Sequence, residues 1–152
     1  IVDRYVEMAK RRVGFMPHTQ VEKTDSREIV ARYRNEFRCP LYYLDAHWYE
    51  DWPLERELEL IDYGIVCVDD FNVGHPGFGV DSYNGKECAP ALLSRFAEKV
   101  PYYYTNNPDA IHELPCLQQG RRGGKAYFPV GMAHDHLRHH RYFKRFQTPV
   151  SV

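Results

Sequence analysis

The chain opens with apolar positions at helical spacing. These positions are Val2, Tyr5, Val6, Ala9 and Val13, which recur at spacings of three and four residues. This spacing places side chains on one face of a helix, and Asp3 near its start, with basic residues near its end, suits the helix dipole. We therefore predict a helix that Gly14 and Pro17 end, followed by a short strand between His18 and Lys23.

A second helix is predicted from about Arg27 to Asn35, because Asp25 and Ser26 before it are residue types that cap helices. The run Leu41 to Leu44 follows this helix and is apolar without alternation. An apolar run of this kind indicates a strand that is buried on both faces.

A third helix and a second strand come next. Pro53 suits the start of a helix in which Leu54, Leu58 and Ile61 share one face. The run Ile65 to Val68 then has the same apolar character as the first strand. The connection between the two strands is long enough to hold a helix, so we expect a parallel pair with a right-handed crossover.

The second half of the chain is predicted to add a long loop, a helix and two strands. The glycine-rich stretch Asn72 to Gly85 indicates a loop, and loops of this length in compact domains are often functional. We predict a helix over Pro90 to Val100 and strands at Pro101 to Thr105 and Lys125 to Val130, the latter introduced by the turn Gly120 to Gly124. Helices and strands alternate, so the expected fold class is α/β.

Composition and charge exclude several classes of protein. The 152 residues suit one domain, and 20 Lys plus Arg against 21 Asp plus Glu give a formal net charge of −1. A nearly neutral chain has no overall field that attracts nucleic acid or anionic lipid, and no apolar run has the length of a membrane span. We therefore expect no nucleic-acid partner and no membrane partner. The four cysteines form no CxxC pair, which indicates reduced thiols and a cytoplasmic location.

The last part of the sequence is basic and rich in histidine. Four of the eight histidines lie between His134 and His140, and the basic residues interleaved or close by are Arg138, Arg141, Lys144 and Arg145. His136 and His140 would share a helix face at metal-ligand spacing. No cysteine cluster and no HExxH motif accompany them, so we predict a solvated basic tail.

Carboxylates follow both apolar strands. Asp45 comes after the first strand, and Asp69 and Asp70 come after the second. Neighbouring parallel strands bring these ends to one edge of the sheet, where three carboxylates repel one another unless a cation lies among them. Oxygen-only ligands suit Mg²⁺. The alternative is that these aspartates cap helices or end turns.

His47 follows Asp45 closely and is expected near the same edge of the sheet. An imidazole titrates near neutral pH, so His47 could act as a general base there. A hydrogen-bonded loop histidine is the alternative interpretation.

Two stretches of the sequence resemble a known enzyme family. They are Leu44 to Asp51, which reads LDAHWYED, and Val66 to Phe71, which reads VCVDDF. With a short helix between them, they are similar to the second half of class I S-adenosylmethionine-dependent methyltransferases. The pattern most resembles the macrocin-type, metal-dependent sugar O-methyltransferases, in which it reads like LDGDWYES followed by VDDY. Catechol-type O-methyltransferases share the metal arrangement more distantly.

The resemblance covers roughly Ile1 to Val130 and implies a fold. Residues 1–131 would be the C-terminal part of a methyltransferase domain, a partial Rossmann-like, doubly wound α/β sheet, and residues 132–152 would be the basic, histidine-rich tail. The first strand and the glycine-rich cofactor loop of that fold would lie before Ile1, so we expect a fragment that lacks the N-terminal strands. Tyr102 to Tyr104 and Lys125 to Val130 resemble the closing antiparallel pair of the family.

The resemblance also implies a site. Asp25 and Ser26 would border the adenine of S-adenosylmethionine. The Mg²⁺ ligands would be Asp45, Asp69 and Asp70. Two vicinal hydroxyls of a sugar or other diol would complete the coordination, and the metal would lower the pKa of one hydroxyl for attack on the sulfonium methyl group. The base would be Asp45 or His47, and His47 stands where the family often has a second acidic residue.

Two other functions are consistent with the sequence. Asp45-Ala46-His47 also resembles a motif of ureohydrolases such as arginase, in which Asp and His bind two manganese ions, although their SxDxD-like segment is not found in this sequence. A chain without the glycine-rich half could instead bind a metal or a sugar without turnover, and it should bind S-adenosylmethionine weakly or not at all. An exposed apolar sheet edge would favour a homo-oligomer or a marginally stable domain.

Overall fold

A computed structural model of the chain describes residues 3–46, 52–83, 85–110, 122–133, 135 and 137–150. Within these residues the chain forms four α-helices and seven strands. The helices are α1 (Asp3–Val13), α2 (Ser26–Tyr33), α3 (Leu54–Leu60) and α4 (Pro90–Leu93), with a 3-10 helix at Ser94–Phe96. The strands are β1 (Leu41–Leu44), β2 (Gly64–Val68), β3 (Ser82–Tyr83), β4 (Lys86–Glu87), β5 (Tyr102–Asn106), β6 (Ala126–Val130) and β7 (Phe143–Gln147). The predicted α/β class is confirmed at this level.

Five of these strands form one mixed sheet in the order β1-β2-β6-β5-β7. β1 and β2 are parallel, with Leu41 opposite Ile65 and Leu44 opposite Val68. α3 lies between them in the chain, so the predicted parallel pair is confirmed. β6 runs antiparallel to both β2 and β5, and β7 runs antiparallel to β5. β3 and β4 form a small hairpin at the end of the predicted long loop.

The helices α2, α3 and α4 share one hydrophobic core with the sheet. The buried side chains that join them include Val30 of α2, Leu54 and Leu58 of α3, Leu93 of α4, and Val66, Val68 and Phe128 of the sheet. Val66 lies opposite Phe128 in the β2–β6 register, so their side chains project from the same face of the sheet. The core therefore lies on one side of β2 and fixes the position of its carboxyl end.

The prediction of two strands buried on both faces is confirmed for β2 and wrong for β1. Val66, Cys67 and Val68 are all buried. In β1, Leu41 is 69% exposed and Tyr43 is 54% exposed. The reason is that β1 is an outer strand of the described sheet, with β2 as its partner on one side.

The predicted helices are confirmed in the first half of the chain. α1 spans the expected segment, and α2 begins after Asp25, whose side chain accepts a hydrogen bond from the backbone N–H of Arg27. α3 follows Pro53 directly. The helix predicted over Pro90 to Val100 is shorter, since α4 ends at Leu93 and the chain continues as a 3-10 helix. None of the helices in the described ranges combines the length and the apolar character that a membrane crossing requires.

The strand predicted between His18 and Lys23 is wrong. His18 has a φ of 63°, and it lies within a turn in which the N–H of Thr19 donates to the carbonyl of Met16 at 3.2 Å. A left-handed residue interrupts an extended segment. None of the described strands pairs with this segment.

β7 lies inside the segment that the sequence indicated as a solvated basic tail. It pairs with β5, and the register places Tyr103 opposite Phe146. The rings of these two residues are stacked with their centroids 5.5 Å apart. Residues 143–147 are therefore part of the sheet, while their basic side chains, Lys144 and Arg145, are exposed.

Candidate functional site

The carboxyl ends of β1 and β2 meet at one edge of the sheet. Leu44 lies opposite Val68 in the register, so Asp45 and Asp69 follow paired residues. The backbone N–H of Asp69 donates to the carbonyl of Leu44 at 3.0 Å, which continues the pairing by one step. The structure therefore places Asp45 and Asp69 at neighbouring backbone positions, at the carboxyl ends of two paired parallel strands.

The Asp69 carboxylate accepts three hydrogen bonds from the surrounding protein. Its Oδ1 accepts from the ammonium of Lys125 and, at 2.9 Å, from the backbone N–H of Asp70, and its Oδ2 accepts from the hydroxyl of Tyr43. Burial alone would raise the pKa of Asp69, but the hydrogen bonds from Lys125, Tyr43 and Asp70 hold that pKa below its ordinary value. Asp69 is therefore a carboxylate at neutral pH.

Lys125 reaches this site because of the antiparallel pairing of β6 with β2. Val68 lies opposite Ala126, so Lys125 immediately before β6 faces Asp69 immediately after β2. Burial tends to lower the pKa of Lys125, but the hydrogen bonds to Asp69 and Tyr43 outweigh it and raise the pKa above its ordinary value. Sequence reasoning missed Lys125 and Tyr43 as members of the site, because only the strand register brings them to Asp69.

Asp70 and Gly123 are in close contact. A Cβ atom added at Gly123 would lie 2.5 Å from Oδ1 of Asp70 and 3.1 Å from Oδ1 of Asp69. The residues around Gly123 are held by backbone hydrogen bonds, since Gly79 N–H donates to the carbonyl of Arg122 at 2.6 Å and Gly124 N–H donates to the carbonyl of Gly79 at 3.0 Å. The carboxylates of Asp69 and Asp70 can lie this close to the backbone because residue 123 has no side chain.

Asp70 itself has a φ of 48°, which is a left-handed backbone conformation. L-residues other than Gly, Asn and Asp adopt this conformation rarely, since the Cβ atom approaches the backbone. The bend turns the chain sharply after β2 and lets the Phe71 N–H donate to the carbonyl of Gly124 at 2.8 Å. The acidic pair is thus held between the end of β2 and the glycine segment before β6.

A cleft of about 510 Å³ lies beside the end of β1. Its walls are largely apolar, and its polar lining residues include Ser26, Asp45 and Glu57. Two of the residues singled out in the sequence, Ser26 and Asp45, thus border one cavity. Asp25 has a clear structural function, since its carboxylate accepts hydrogen bonds from the backbone N–H and the guanidinium of Arg27 at 2.8, 2.9 and 2.7 Å. The hydrogen bonds from Arg27 outweigh burial and hold the pKa of Asp25 below its ordinary value.

Glu57 is a fully buried acid in the wall of this cleft. Its exposed fraction is 0%, and neither carboxyl oxygen has a hydrogen-bond partner among the described residues. Burial raises the pKa of Glu57, and the neighbouring Ser26 opposes that shift only in part. A buried carboxyl that lacks a well-formed hydrogen bond is costly to ionise, which favours its neutral, protonated form.

The nearby thiols are not nucleophiles at neutral pH. Burial raises the pKa of Cys67 to about 11 and that of Cys88 to about 12. A thiol is reactive in its deprotonated form, which these pKa values disfavour. The chemistry of this edge therefore belongs to its carboxylates, to Lys125 and to the Tyr43 hydroxyl.

Some predicted residues lie outside the described part of the chain. His47, the candidate base, is one of them, and His134 and His136 of the tail are others. Among the residues that the structure describes, no group of three or more His, Cys, Asp or Glu side chains is arranged to hold a metal ion.

The chain was compared with known proteins in three ways. No protein-family model matches it, and neither a curated protein nor a solved structure does.

Proposed function

We propose that this chain is the acceptor-side part of an S-adenosylmethionine-dependent O-methyltransferase that uses a divalent metal, with a sugar or other vicinal diol as acceptor. The observation that carries the proposal is that Asp45 and the Asp69–Asp70 pair follow the paired ends of two parallel strands, beside a cleft that Asp45 and Ser26 line. A ligand site at the carboxyl edge of parallel strands is typical of open α/β sheets. The antiparallel pairing of β5 with β6 is consistent with the partial Rossmann-like fold that the resemblance implies.

Two observations support a magnesium ion at this edge, although the described carboxylates are not already arranged as a three-ligand metal group. Asp45, Asp69 and Asp70 offer only oxygen ligands, which a hard cation prefers. Gly123 allows the carboxylates of Asp69 and Asp70 to approach the same point of the backbone, because a Cβ atom there would collide with Asp70. These three carboxylates are therefore the residues that would hold the ion.

The cleft fits a cofactor for a different reason. Ser26 adds a hydroxyl to its wall at the start of α2, and Glu57 lies fully buried behind that wall. Asp25 would contribute by fixing the first turn of α2, where its side chain caps the helix.

The protein's own groups then have definite tasks in methyl transfer. When bound, the cofactor supplies an electrophilic methyl group and the metal supplies the Lewis acidity that lowers the pKa of an acceptor hydroxyl. Asp45 lines the cleft at the end of β1, beside the strand that the acidic pair follows, and we assign its carboxylate the role of accepting the hydroxyl proton. His47 is the second candidate for that base. Holding acceptor and methyl donor at adjacent positions supplies the orientation that the displacement needs.

The proposal is tested by isothermal titration calorimetry of Mg²⁺ into the chain. We expect binding that the double substitution Asp69→Asn/Asp70→Asn abolishes. The control is Asp62→Asn/Asp109→Asn, which changes the net charge equally at two exposed positions and should bind Mg²⁺ as the unaltered chain does. Equal Mg²⁺ binding by both double variants would contradict a metal site at the strand ends.

The cofactor part needs its own measurement. Titration of S-adenosylhomocysteine, followed by NMR chemical shifts because they detect weak binding, should perturb residues around Ser26 and Glu57. A bulky substitution, Ser26→Trp, should remove the perturbation by filling the cleft. Perturbations that spare the cleft in the unaltered chain would overturn the assignment of this cavity to the cofactor.

A further inference from the structure

An ammonium group already lies at the acidic edge of the sheet. The Nζ atom of Lys125 donates to Oδ1 of Asp69 and lies 3.1 Å from the hydroxyl oxygen of Tyr43. It also lies 5.4 Å from the centroid of the Tyr43 ring. The pair is partly shielded from water, since the side chains of Lys125 and Asp69 are 27% and 15% exposed.

Because the ion pair is partly buried, the charge of Lys125 acts strongly on any cation that approaches Asp69. Charges that are shielded from solvent attract and repel each other more strongly than exposed charges do. The positive charge of Lys125 repels a second cation near Asp69, and its hydrogen bond occupies the oxygen atom that a metal would use. A divalent ion can therefore bind Asp69 through Oδ1 only by displacing the ammonium.

We propose that Lys125 is an internal counter-ion of the acidic site, which competes with the divalent cation for Asp69 and thereby sets the cation affinity. This inference rests on the proposed function, because the site is the same one. Lys125 is a positioning residue in this scheme. It holds the Asp69 carboxylate in place before the cation binds. When the cation binds, the ammonium of Lys125 leaves Oδ1 of Asp69.

The backbone at Lys125 does not depend on the ammonium. The N–H of Lys125 donates to Oδ1 of Asn106 at 2.8 Å, and the five residues of β6 that follow are paired with β2. A substitution that removes the charge should therefore leave the strand register in place. The side-chain charge and the fold can be separated by experiment.

The test is the affinity of the chain for Mn²⁺, measured by electron paramagnetic resonance of the unbound ion. Mn²⁺ accepts the same oxygen ligands as Mg²⁺ and gives a signal without any enzymatic turnover. We expect Lys125→Gln to bind Mn²⁺ about tenfold more tightly than the unaltered chain, because a nearby positive charge is removed. Lys125→Arg keeps the charge and should bind as the unaltered chain does.

A matched control separates this local effect from a change in net charge. Lys144→Gln removes one positive charge from an exposed position on β7, so its Mn²⁺ affinity should change by less than about twofold. Tyr43→Phe provides a second test at an exposed position, in case Lys125→Gln does not fold. It removes the other side-chain donor to Asp69 and should raise the affinity about two- to threefold.

The possible outcomes are distinct. Tighter binding by Lys125→Gln than by Lys144→Gln supports the proposal, including the case in which the unaltered chain binds no Mn²⁺ at all. Equal or weaker binding by a folded Lys125→Gln overturns the role of Lys125 and leaves the metal site intact. If no folded variant binds Mn²⁺, both this inference and the metal part of the proposed function fail.

Discussion

The rings of Tyr103 and Phe146 stack with an interplanar angle of 19° and their centroids 5.5 Å apart. Tyr103 belongs to the main core cluster, and Phe146 packs against that cluster from β7. This contact fastens the C-terminal strand to the core. Removing the ring of Phe146 should therefore weaken the whole fold rather than loosen a tail.

We expect Phe146→Ala to lower the free energy of unfolding by about 2 to 3 kcal/mol, because it removes an aromatic side chain that is packed against the core. The measurement is urea denaturation followed by circular dichroism. Val150→Ala is the control, since Val150 is 72% exposed and its truncation should cost less than about 0.5 kcal/mol. Equal stabilities of the two variants would show that β7 adds nothing to the fold.

Gly123 should be essential for the geometry of the acidic pair. In Gly123→Ala the new methyl group collides with the carboxylate of Asp70, 2.5 Å away, and that side chain must move. We expect Mn²⁺ affinity to fall about tenfold or more, because one ligand is displaced. Electron paramagnetic resonance measures the change.

The control for Gly123→Ala is a glycine whose neighbourhood is open. Gly74 has a φ of +70° and no atom within 4 Å of an added Cβ, so Gly74→Ala introduces backbone strain without a collision. It should cost about 1 kcal/mol of stability and leave Mn²⁺ affinity unchanged. A loss of affinity in Gly74→Ala equal to that in Gly123→Ala would indicate that general destabilisation is responsible.

Glu57 should make stability depend on pH. Burial raises its pKa above 4.5, the ordinary value, so the folded chain holds the proton more tightly than the unfolded chain does. The stabilisation from this proton is complete below the ordinary pKa and is lost as the pH rises through the raised pKa. Glu57→Gln cannot ionise, so its stability relative to the unaltered chain should increase with pH over that window.

Urea denaturation at about pH 4, 6 and 8 measures this difference, which should reach about 1 to 3 kcal/mol. Glu59→Gln is the matched control, because Glu59 lies on the exposed side of the same helix. It should retain the pH dependence of the unaltered chain. Parallel curves for the unaltered chain and Glu57→Gln would show that Glu57 does not titrate with folding.

The outer edge of β1 should promote self-association. Leu41 and Tyr43 are exposed on a strand without charged residues, and edges of this kind pair readily with another chain. We expect sedimentation velocity to show concentration-dependent association that Leu41→Lys reduces. Val150→Lys, which adds the same charge away from this edge, should not reduce it. Association that is equally strong in both variants would mean that β1 is not the contact.

Local sequence patterns were sufficient to predict those helices and strands whose own residues show a clear hydrophobic pattern. Apolar spacing predicted α1 and α3, and the run Ile65 to Val68 predicted a buried strand. β7 was not predicted, because its apolar residues Phe143 and Phe146 are three positions apart and so do not match the two-residue period of a strand. Pairing with β5 determines its conformation, and that partner is distant in sequence.

The acidic residues of the candidate site were proposed from the sequence, but their surroundings could not be. Asp45, Asp69 and Asp70 each follow an apolar run, and parallel pairing brings the ends of those runs together. Lys125 is 56 residues from Asp69, and only the β2–β6 register connects them. Gly123 likewise lies in a turn whose contact with Asp70 depends on that register.

The order of strands in the sheet differs from their order in the chain, and this difference constrains folding. β6 lies between β2 and β5 in space but is synthesised after β5. While the chain is being made, α2, β1, α3 and β2 can assemble from neighbouring segments, whereas β5 has no place in the sheet until β6 has paired with β2. Such non-local pairing is slow relative to helix formation. We therefore expect a nascent chain that ends between β5 and β6 to require protection of its tyrosine-rich strand from aggregation.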